Sequence, residues 1–190
     1  YEVGPLARVL VAYASGRAEV KAAVDGFLSR TGLGKDALFS TLGRIAARAL
    51  ETQILVNHLQ GWLDQLVANM NGGQLQIADS ASWQPGSWPA EARGWGAEEA
   101  PRGALGHWVV VKNQKIENYQ LVVPSTWNGS PRDAGGNRGA WEESLIGTPI
   151  ADPEQPIEVL RTVHSFDPCM ACAVHVFDPT GGASTEIRVV

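Results

Sequence analysis

The sequence predicts an α+β fold that is mainly helical, with one small antiparallel sheet at its periphery. Residues 5–30 place apolar side chains at helical spacing, and residues 36–71 repeat that spacing over a much longer stretch. The runs Leu105–Val111 and Ile116–Val123, separated by a short polar turn around Asn113–Lys115, are typical of the two strands of a β-hairpin.

Two helices are predicted before residue 35. The first begins at Pro5, whose restricted φ suits the first turn of a helix. The second spans Ala18–Arg30, with apolar residues three and four positions apart. Gly32 and Gly34 mark its end, because glycine readily adopts the left-handed conformation that closes many helices.

Residues 36–71 show the strongest periodicity and predict one long helix with Asp36 as its N-cap. About 33 helical residues would extend roughly 50 Å, which is oversized for a self-contained chain of 190 residues. Because residue 1 is also Tyr rather than Met, we expect the chain to be a fragment of a larger domain. The long helix would then belong to a bundle shared with residues outside this chain.

The segments on either side of the predicted hairpin are less regular. Residues 74–103 are predicted to form a surface loop held by its indoles, and residues 124–140 to be irregular. Two short helices are expected at Trp141–Ile146 and Glu154–Val163.

Composition excludes several classes of protein. With 44% apolar residues the chain can bury a core, and its net charge of −5 argues against nucleic-acid binding. No apolar run approaches the roughly 18 residues of a membrane-spanning helix. The two cysteines are too few for a disulfide scaffold or for an iron–sulfur cluster held by this chain alone.

Both cysteines lie in the segment D-P-C-M-A-C-A-V-H, residues 167–175. On a helix capped by Asp167, the side chains of Cys169, Cys172 and His175 would lie roughly along one side. A thiolate at Cys169 would be favoured by the helix dipole, and thiolates bind nickel, iron, zinc or copper. The C-x-x-C spacing alone leaves three interpretations open, namely a redox dithiol, half of a zinc site and two buried unreactive cysteines.

The residues around this motif distinguish these interpretations. R-T-V-H-S-F (161–166) followed by D-P-C-x-x-C-x-x-H resembles the C-terminal signature of the large subunit of nickel–iron hydrogenases, especially the uptake, respiratory type. Further blocks resemble the same family in the same order: Y-E-V-G-P-L-A-R (1–8), E-A-P-R-G-A-L-G-H-W (99–108), N-Y-Q-L-V-V-P-S-T-W-N (118–128) and S-L-I-G-T-P (144–149). The resemblance implies the long-helix bundle of that subunit and reversible heterolytic cleavage of H2 to two protons and two electrons.

The resemblance also implies a set of metal ligands. Cys169 would be a terminal nickel ligand, and Cys172 would bridge nickel and iron. The iron would carry carbon monoxide and two cyanides. His175 and the backbone carbonyl of Leu121 would bind a magnesium ion beside the nickel–iron centre.

Other residues would surround the metals. Arg102 corresponds to the family arginine above the open metal position, and Asp167 would pair with it. If the resemblance is set aside, Arg102 is expected to form a surface ion pair and Asp167 to cap a helix. Either Cys169 or Arg102 could receive the first proton. Ser125 would donate to a cyanide or else cap backbone, and the apolar wall around carbon monoxide would comprise Pro101, Leu105 and Pro124. The histidines His58, His107 and His164 are expected to be structural more often than proton carriers.

The chain departs from the family in one respect, since the second C-x-x-C pair and a proton-relay glutamate have no counterpart here. We therefore expect it to be the C-terminal part of a large subunit, inactive alone. Electrons would pass to an iron–sulfur small subunit, which forms a heterodimer with the large subunit. From there they would pass to a membrane cytochrome b.

Family members usually end at the motif histidine after processing. We expect residues 1–175 to be the mature portion and residues 176–190 a maturation extension that an endopeptidase removes between His175 and Val176. Nickel-insertion factors would act on the cytoplasmic precursor. The mature enzyme would then reach the periplasmic face of the membrane through its partner's export signal. A permanent hairpin is the alternative, because residues 178–182 predict a turn and Thr185–Val190 a strand.

Three alternative functions are considered. A hydrogen-sensing homologue would share the motif but commonly lacks the extension, and a metal-free structural homologue would lack the cysteines. Outside the family, the remaining alternative is a zinc-binding or structural C-x-x-C module.

Overall fold

A computed structural model describes residues 1–81 and 83–169, together with the backbones of two later strands. The helices are α1 (Pro5–Ala14), α2 (Ala18–Thr31), α3 (Thr41–Asn71), α4 (Pro124–Asn128), α5 (Ala140–Leu145) and α6 (Ile157–His164), with short 3₁₀ turns at Lys35–Leu38 and Pro85–Ser87. The strands are β1 (Glu91–Ala100), β2 (Gly103–Lys112), β3 (Lys115–Val122), β4 (Ala173–Val176) and β5 (Thr185–Arg188). None of the helices in the described part is long and apolar enough to cross a membrane.

The core lies where α1 and α2 pack against the first half of α3. Their apolar side chains are at the predicted three- and four-residue spacing, so each helix presents one apolar side to the others. The buried apolar residues are Leu6, Val9, Val20, Val24, Leu28, Leu38, Ala47 and Leu50.

The long helix is confirmed, but its predicted beginning is wrong. Ser40 caps it by accepting a hydrogen bond from the Gly43 N–H at 3.0 Å, whereas Asp36 lies in the preceding 3₁₀ turn. A Cβ at Gly43 would stand 2.2 Å from the Leu38 carbonyl oxygen. This close approach lets the chain turn into the helix at Ser40, a contact that helical periodicity does not reveal.

The second half of α3 keeps an apolar surface that the described residues leave uncovered. Its large apolar side chains are each roughly half exposed: Leu59, Trp62, Leu63, Leu66 and Met70.

The sheet has the order β1-β2-β3, with both pairs antiparallel. Asn113 and Gln114 join β2 to β3 with φ values of 50° and 63°. Two left-handed residues define the type I′ turn, whose twist suits a hairpin. The predicted hairpin is therefore confirmed.

The loop predicted over residues 74–103 is wrong in its second half. β1 pairs with β2 along all ten of its residues, from Glu91 opposite Lys112 to Ala100 opposite Gly103. Its sequence is rich in charge and glycine and lacks apolar alternation, so pairing with β2 decides its conformation. Trp83 and Trp95 are 65% and 74% exposed, which contradicts a loop packed around its indoles.

The later elements agree better with prediction. Helices α5 and α6 confirm the two short helices, with shifted ends, while α4 occupies the start of the region expected to be irregular.

The helix expected over residues 167–175 is wrong at both ends. Asp167 has φ +54°, which is left-handed and unlike a helix N-cap. His175 lies in β4, opposite Glu186 of the antiparallel strand β5. The β-branched residues on either side of His175 favour extended backbone, and β5 supplies the strand with which they pair. Cys172 and the predicted turn at 178–182 lie outside the described residues.

Candidate active site

Arg102 lies in the two-residue turn between β1 and β2. Ala100 and Gly103 close this turn, and Gly103 adopts φ +132°, a conformation that L side chains rarely take. The Arg102 Nε lies 2.8 Å from the Asp167 carbonyl oxygen and 3.1 Å from its Oδ2. The expected contact between Arg102 and Asp167 is therefore present, and both side chains are partly exposed, at 39% and 41%.

The backbone after α6 explains why Asp167 meets Arg102 with two oxygens. The Phe166 N–H donates to the Val163 carbonyl and the Asp167 N–H to the His164 carbonyl, at 3.1 and 2.9 Å. These bonds close a turn in which Asp167 takes its left-handed conformation. Its carbonyl and carboxylate then face one guanidinium, and Cys169 follows two residues later.

Cys169 is joined to Ser125 across 44 residues of sequence. The Cys169 N–H donates to the Ser125 Oγ at 3.1 Å. Ser125 is 9% exposed and is the second residue of α4, directly after the buried Pro124, whereas Cys169 is an exposed free cysteine. The serine therefore does cap backbone, as one interpretation expected, but the backbone belongs to the cysteine motif. Its hydroxyl proton remains available for donation.

Helix α3 supports the segment that leads to Asp167. The Arg48 Nη2 donates to the Ser165 carbonyl at 3.2 Å, and the Arg44 guanidinium lies 4.0 Å from the centre of the Phe166 ring. These contacts fix the end of α6 on the first half of α3.

The N-terminal segment is held between the same elements. Asn128, only 2% exposed, accepts from the Val3 N–H at 2.9 Å and donates to the Val3 carbonyl at 3.0 Å. Glu2 forms a two-pronged ion pair with Arg44, with both N···O distances 2.9 Å. Sequence reasoning missed these supports, although charged residues on the core-facing side of α3 were a signal that could have found them.

The remaining predicted residues occupy varied surroundings. Pro124 is buried, Leu105 half-buried and Pro101 exposed, and their role as an apolar wall stays a prediction. Leu121 lies opposite His107 in the β2–β3 register and is 48% exposed. The side chain of His175 lies outside the described residues, so the magnesium site also stays a prediction.

The histidines considered as proton carriers have structural partners or lie on the surface. His107 hydrogen-bonds the Tyr119 hydroxyl. His58 pairs with Glu19 at 2.7 Å and stacks on Trp62. His164 is exposed at the end of α6.

The donors of this site fit part of a soft-metal centre. Cys169 supplies an exposed thiol, and thiolates are preferred ligands of nickel and iron. Within residues 1–81 and 83–169, no three His, Cys, Asp or Glu side chains cluster closely enough to hold a metal.

Comparison with known proteins identifies the class. Residues 1–175 match the family of nickel-dependent hydrogenases, and the chain belongs to that family. It is 55% identical over 188 residues to the uptake hydrogenase large subunit of Bradyrhizobium diazoefficiens, and 50% identical to the hydrogenase-1 large chain of Escherichia coli. These alignments cover 99% of this chain and 32% of each relative, so the chain spans about a third of their length.

Solved structures agree. The Ni-Fe-Se hydrogenase of Desulfovibrio vulgaris Hildenborough in the reduced state superposes with a TM-score of 0.66 and 41% identity, covering 88% of this chain and 34% of that one. The actinobacterial-type NiFe-hydrogenase of Ralstonia eutropha gives a TM-score of 0.59 and 34% identity, covering 68% and 23%. The resemblance to hydrogenase large subunits is confirmed, and so is the helical fold with a small antiparallel sheet.

Proposed function

We propose that this chain is the C-terminal part of an uptake-type hydrogenase large subunit that cleaves H2 reversibly and heterolytically. One observation carries the proposal beyond family membership. The Arg102 guanidinium is held by both oxygens of Asp167, two residues before the exposed Cys169. A cation is therefore bound to a residue two positions before a potential thiolate ligand.

The chain's two cysteines supply half of the thiolates in this proposal. Cys169 and Cys172 would hold the nickel–iron centre, Cys169 toward nickel and Cys172 toward both metals, and the remainder of the large subunit would supply the second pair. When bound, the nickel–iron centre, with carbon monoxide and two cyanides on iron, supplies the Lewis acid that polarises dihydrogen. His175 and the Leu121 carbonyl hold magnesium.

Arg102 orients the reaction. Its Nε is engaged by Asp167, and the described residues offer no hydrogen bond to its two Nη atoms. The planar end of the guanidinium is thus directed by a bond at its base, and guanidinium does not readily release a proton. We therefore assign the Cys169 Sγ as the first proton acceptor.

Ser125 and the prolines shape the rest of the pocket. The Ser125 Oγ receives the Cys169 N–H, which leaves its own proton to donate to a cyanide nitrogen. Pro101, Leu105 and Pro124 would form the apolar wall around the carbon monoxide.

The proposal also includes partners and processing. Electrons pass to an iron–sulfur small subunit and then to a membrane cytochrome b; the heterodimer lies at the outer, periplasmic face of the membrane. Nickel-insertion factors act on the cytoplasmic precursor, and an endopeptidase then cuts between His175 and Val176. The family match ends at residue 175, which supports this boundary. Purified active enzyme that retains Val190 by mass spectrometry would contradict the cut and favour a permanent β4–β5 hairpin.

Metal analysis and isotope exchange test the function. The full-length large subunit is purified with its small subunit, as wild type and as Cys169→Ser. We expect equimolar nickel and iron and H2/D2 exchange in the wild type, and loss of nickel and of exchange in the variant. Ser130→Ala, a surface change in the same α4 region, serves as the control.

Other outcomes would contradict the proposal. Zinc without nickel would indicate a C-x-x-C zinc module. Bound nickel with hydrogen binding but very slow turnover would indicate a sensor.

A further inference from the structure

We propose that Arg8 is a positioning residue that holds the Arg102 turn in place for the reaction proposed above. The inference therefore rests on the proposed function. It assigns to Arg8 no contact with substrate or metal. Its role is to set where the backbone of Arg102 lies relative to α3.

Every N–H of the Arg8 guanidinium has an acceptor. Nε and Nη2 bind the two carboxylate oxygens of Glu51 at 2.5 and 2.7 Å. Nη1 donates to Glu99 and to the Ala100 carbonyl, both at 2.9 Å, and Nη2 also donates to the Pro101 carbonyl at 2.9 Å. All five donors of the fork are used, so the group has one orientation.

These acceptors link three elements to the turn. Arg8 belongs to α1 and Glu51 to α3, while the two carbonyls belong to the residues immediately before Arg102. The Arg102 carbonyl oxygen also lies so near Gly4 that a Cβ there would approach within 2.8 Å. Three successive carbonyls of the turn are therefore contacted by the segment Gly4–Arg8.

Helix α3 positions both residues of the Arg102–Asp167 contact. Glu51 acts through Arg8 on the Arg102 turn, and Arg48, three residues earlier on α3, binds the Ser165 carbonyl two residues before Asp167. Because an α-helix is a stiff spacer, the register of Arg48 and Glu51 sets the distance between the two loops. Displacement of either loop would move the Arg102 guanidinium.

The acidic partners of Arg8 stabilise its positive charge. Hydrogen bonding to Glu51, with further help from Glu99, raises the pKa of Arg8 above its usual range despite partial burial. A lysine would keep the charge but offers three donors from one atom, so it cannot bind Glu51 with two prongs and both carbonyls together.

The first test uses the full-length heterodimeric holoenzyme with Arg8→Lys. We expect at least a tenfold lower kcat, unchanged nickel and iron content, and a KM for H2 within twofold of wild type. Arg138→Lys, which alters an exposed ion pair with Glu143, is the matched control and should resemble wild type. Wild-type kcat in Arg8→Lys would overturn the proposal, and so would loss of nickel, because Arg8 would then serve assembly.

A double-mutant cycle tests whether Arg8 acts through Arg102. The variant carrying both Arg8→Lys and Arg102→Lys should be no slower than Arg102→Lys alone. Multiplicative losses would show an independent role and overturn the proposal. If wild-type enzyme shows no hydrogen turnover, the proposed function fails; if wild type and Arg102→Lys behave as proposed and Arg8→Lys is normal, only the role of Arg8 fails.

Chemical rescue gives a readout independent of the conservative substitution. Arg8 borders a surface cavity of about 420 Å³, also lined by Val3, Gly4 and Ala7, through which a small ion can reach the vacated position. In Arg8→Ala holoenzyme, guanidinium at millimolar concentration should restore at least a fifth of the lost kcat, and methylammonium should not. If both ions restored kcat equally, or if neither ion restored it, the result would contradict positioning by the planar guanidinium.

Discussion

The Ser125 hydroxyl receives the backbone N–H of Cys169 at 3.1 Å, joining the start of α4 to the cysteine motif. The hydroxyl belongs to a buried residue of a short helix, whereas the cysteine side chain is exposed. A rigid acceptor thus fixes the backbone of a residue whose thiol faces outward. The orientation of that thiol depends on a residue far away in sequence.

Ser125→Ala should loosen Cys169 and lower stability by about 1 kcal/mol, because the amide loses its acceptor at a partly exposed position. Turnover should fall with nickel still bound. Ser130→Ala removes a hydroxyl whose partner among the described residues is the nearby Thr126 carbonyl, and it should change neither property. Denaturant unfolding and H2 oxidation by the full-length enzyme provide the two measurements. Equal effects of the two substitutions would argue against a specific role for the Cys169 contact.

Arg102→Lys should abolish most turnover, by about 100-fold or more, because an ammonium group lacks the planar fork that Asp167 orients. Metal content should be unchanged, since Arg102 is not a ligand in this proposal. Activity and elemental analysis of the same preparation check both statements. Wild-type activity would remove the proposed role of Arg102.

Gly4→Ala and Gly16→Ala separate backbone strain from displacement of the Arg102 turn. Both glycines have positive φ, 119° and 77°, so both alanines should destabilise the protein by about 1 kcal/mol. Only at Gly4 would the new Cβ collide with the Arg102 carbonyl, at 2.8 Å, whereas Gly16 has open space. Turnover should therefore fall at least fivefold in Gly4→Ala alone. Equal activities in the two folded variants would show that the turn tolerates displacement.

Asn137→Ala should change the titration of Asp133. The side chain and backbone N–H of Asn137 bond this carboxylate and lower its pKa below the ordinary 3.8. A lowered pKa stabilises the folded state above the unfolded pKa, and this contribution is lost as pH falls through the folded value. The variant should titrate nearer 3.8 by carboxyl carbon NMR. An unchanged titration midpoint would show that the backbone bonds suffice.

The sequence alone determined the parts of this protein that rest on local rules. Helical spacing predicted α1, α2 and the length of α3, and the left-handed pair at Asn113-Gln114 lies where the hairpin was expected. The blocks around Arg102 and Cys169 indicated the family that comparison confirms. These features depend on periodicity, turn chemistry and short motifs, all of which are readable in order along the chain.

Only the tertiary structure decided which residues support the site. β1 exists because β2 offers it a partner, and Asp167 takes a left-handed conformation because it closes the turn after α6. Arg8, Glu51 and Asn128 could not be assigned from spacing, since their acceptors and donors lie 43 to 125 residues away. Hydrogen bonds of this range are set by how helices and strands pack, and no local preference of the chain encodes them.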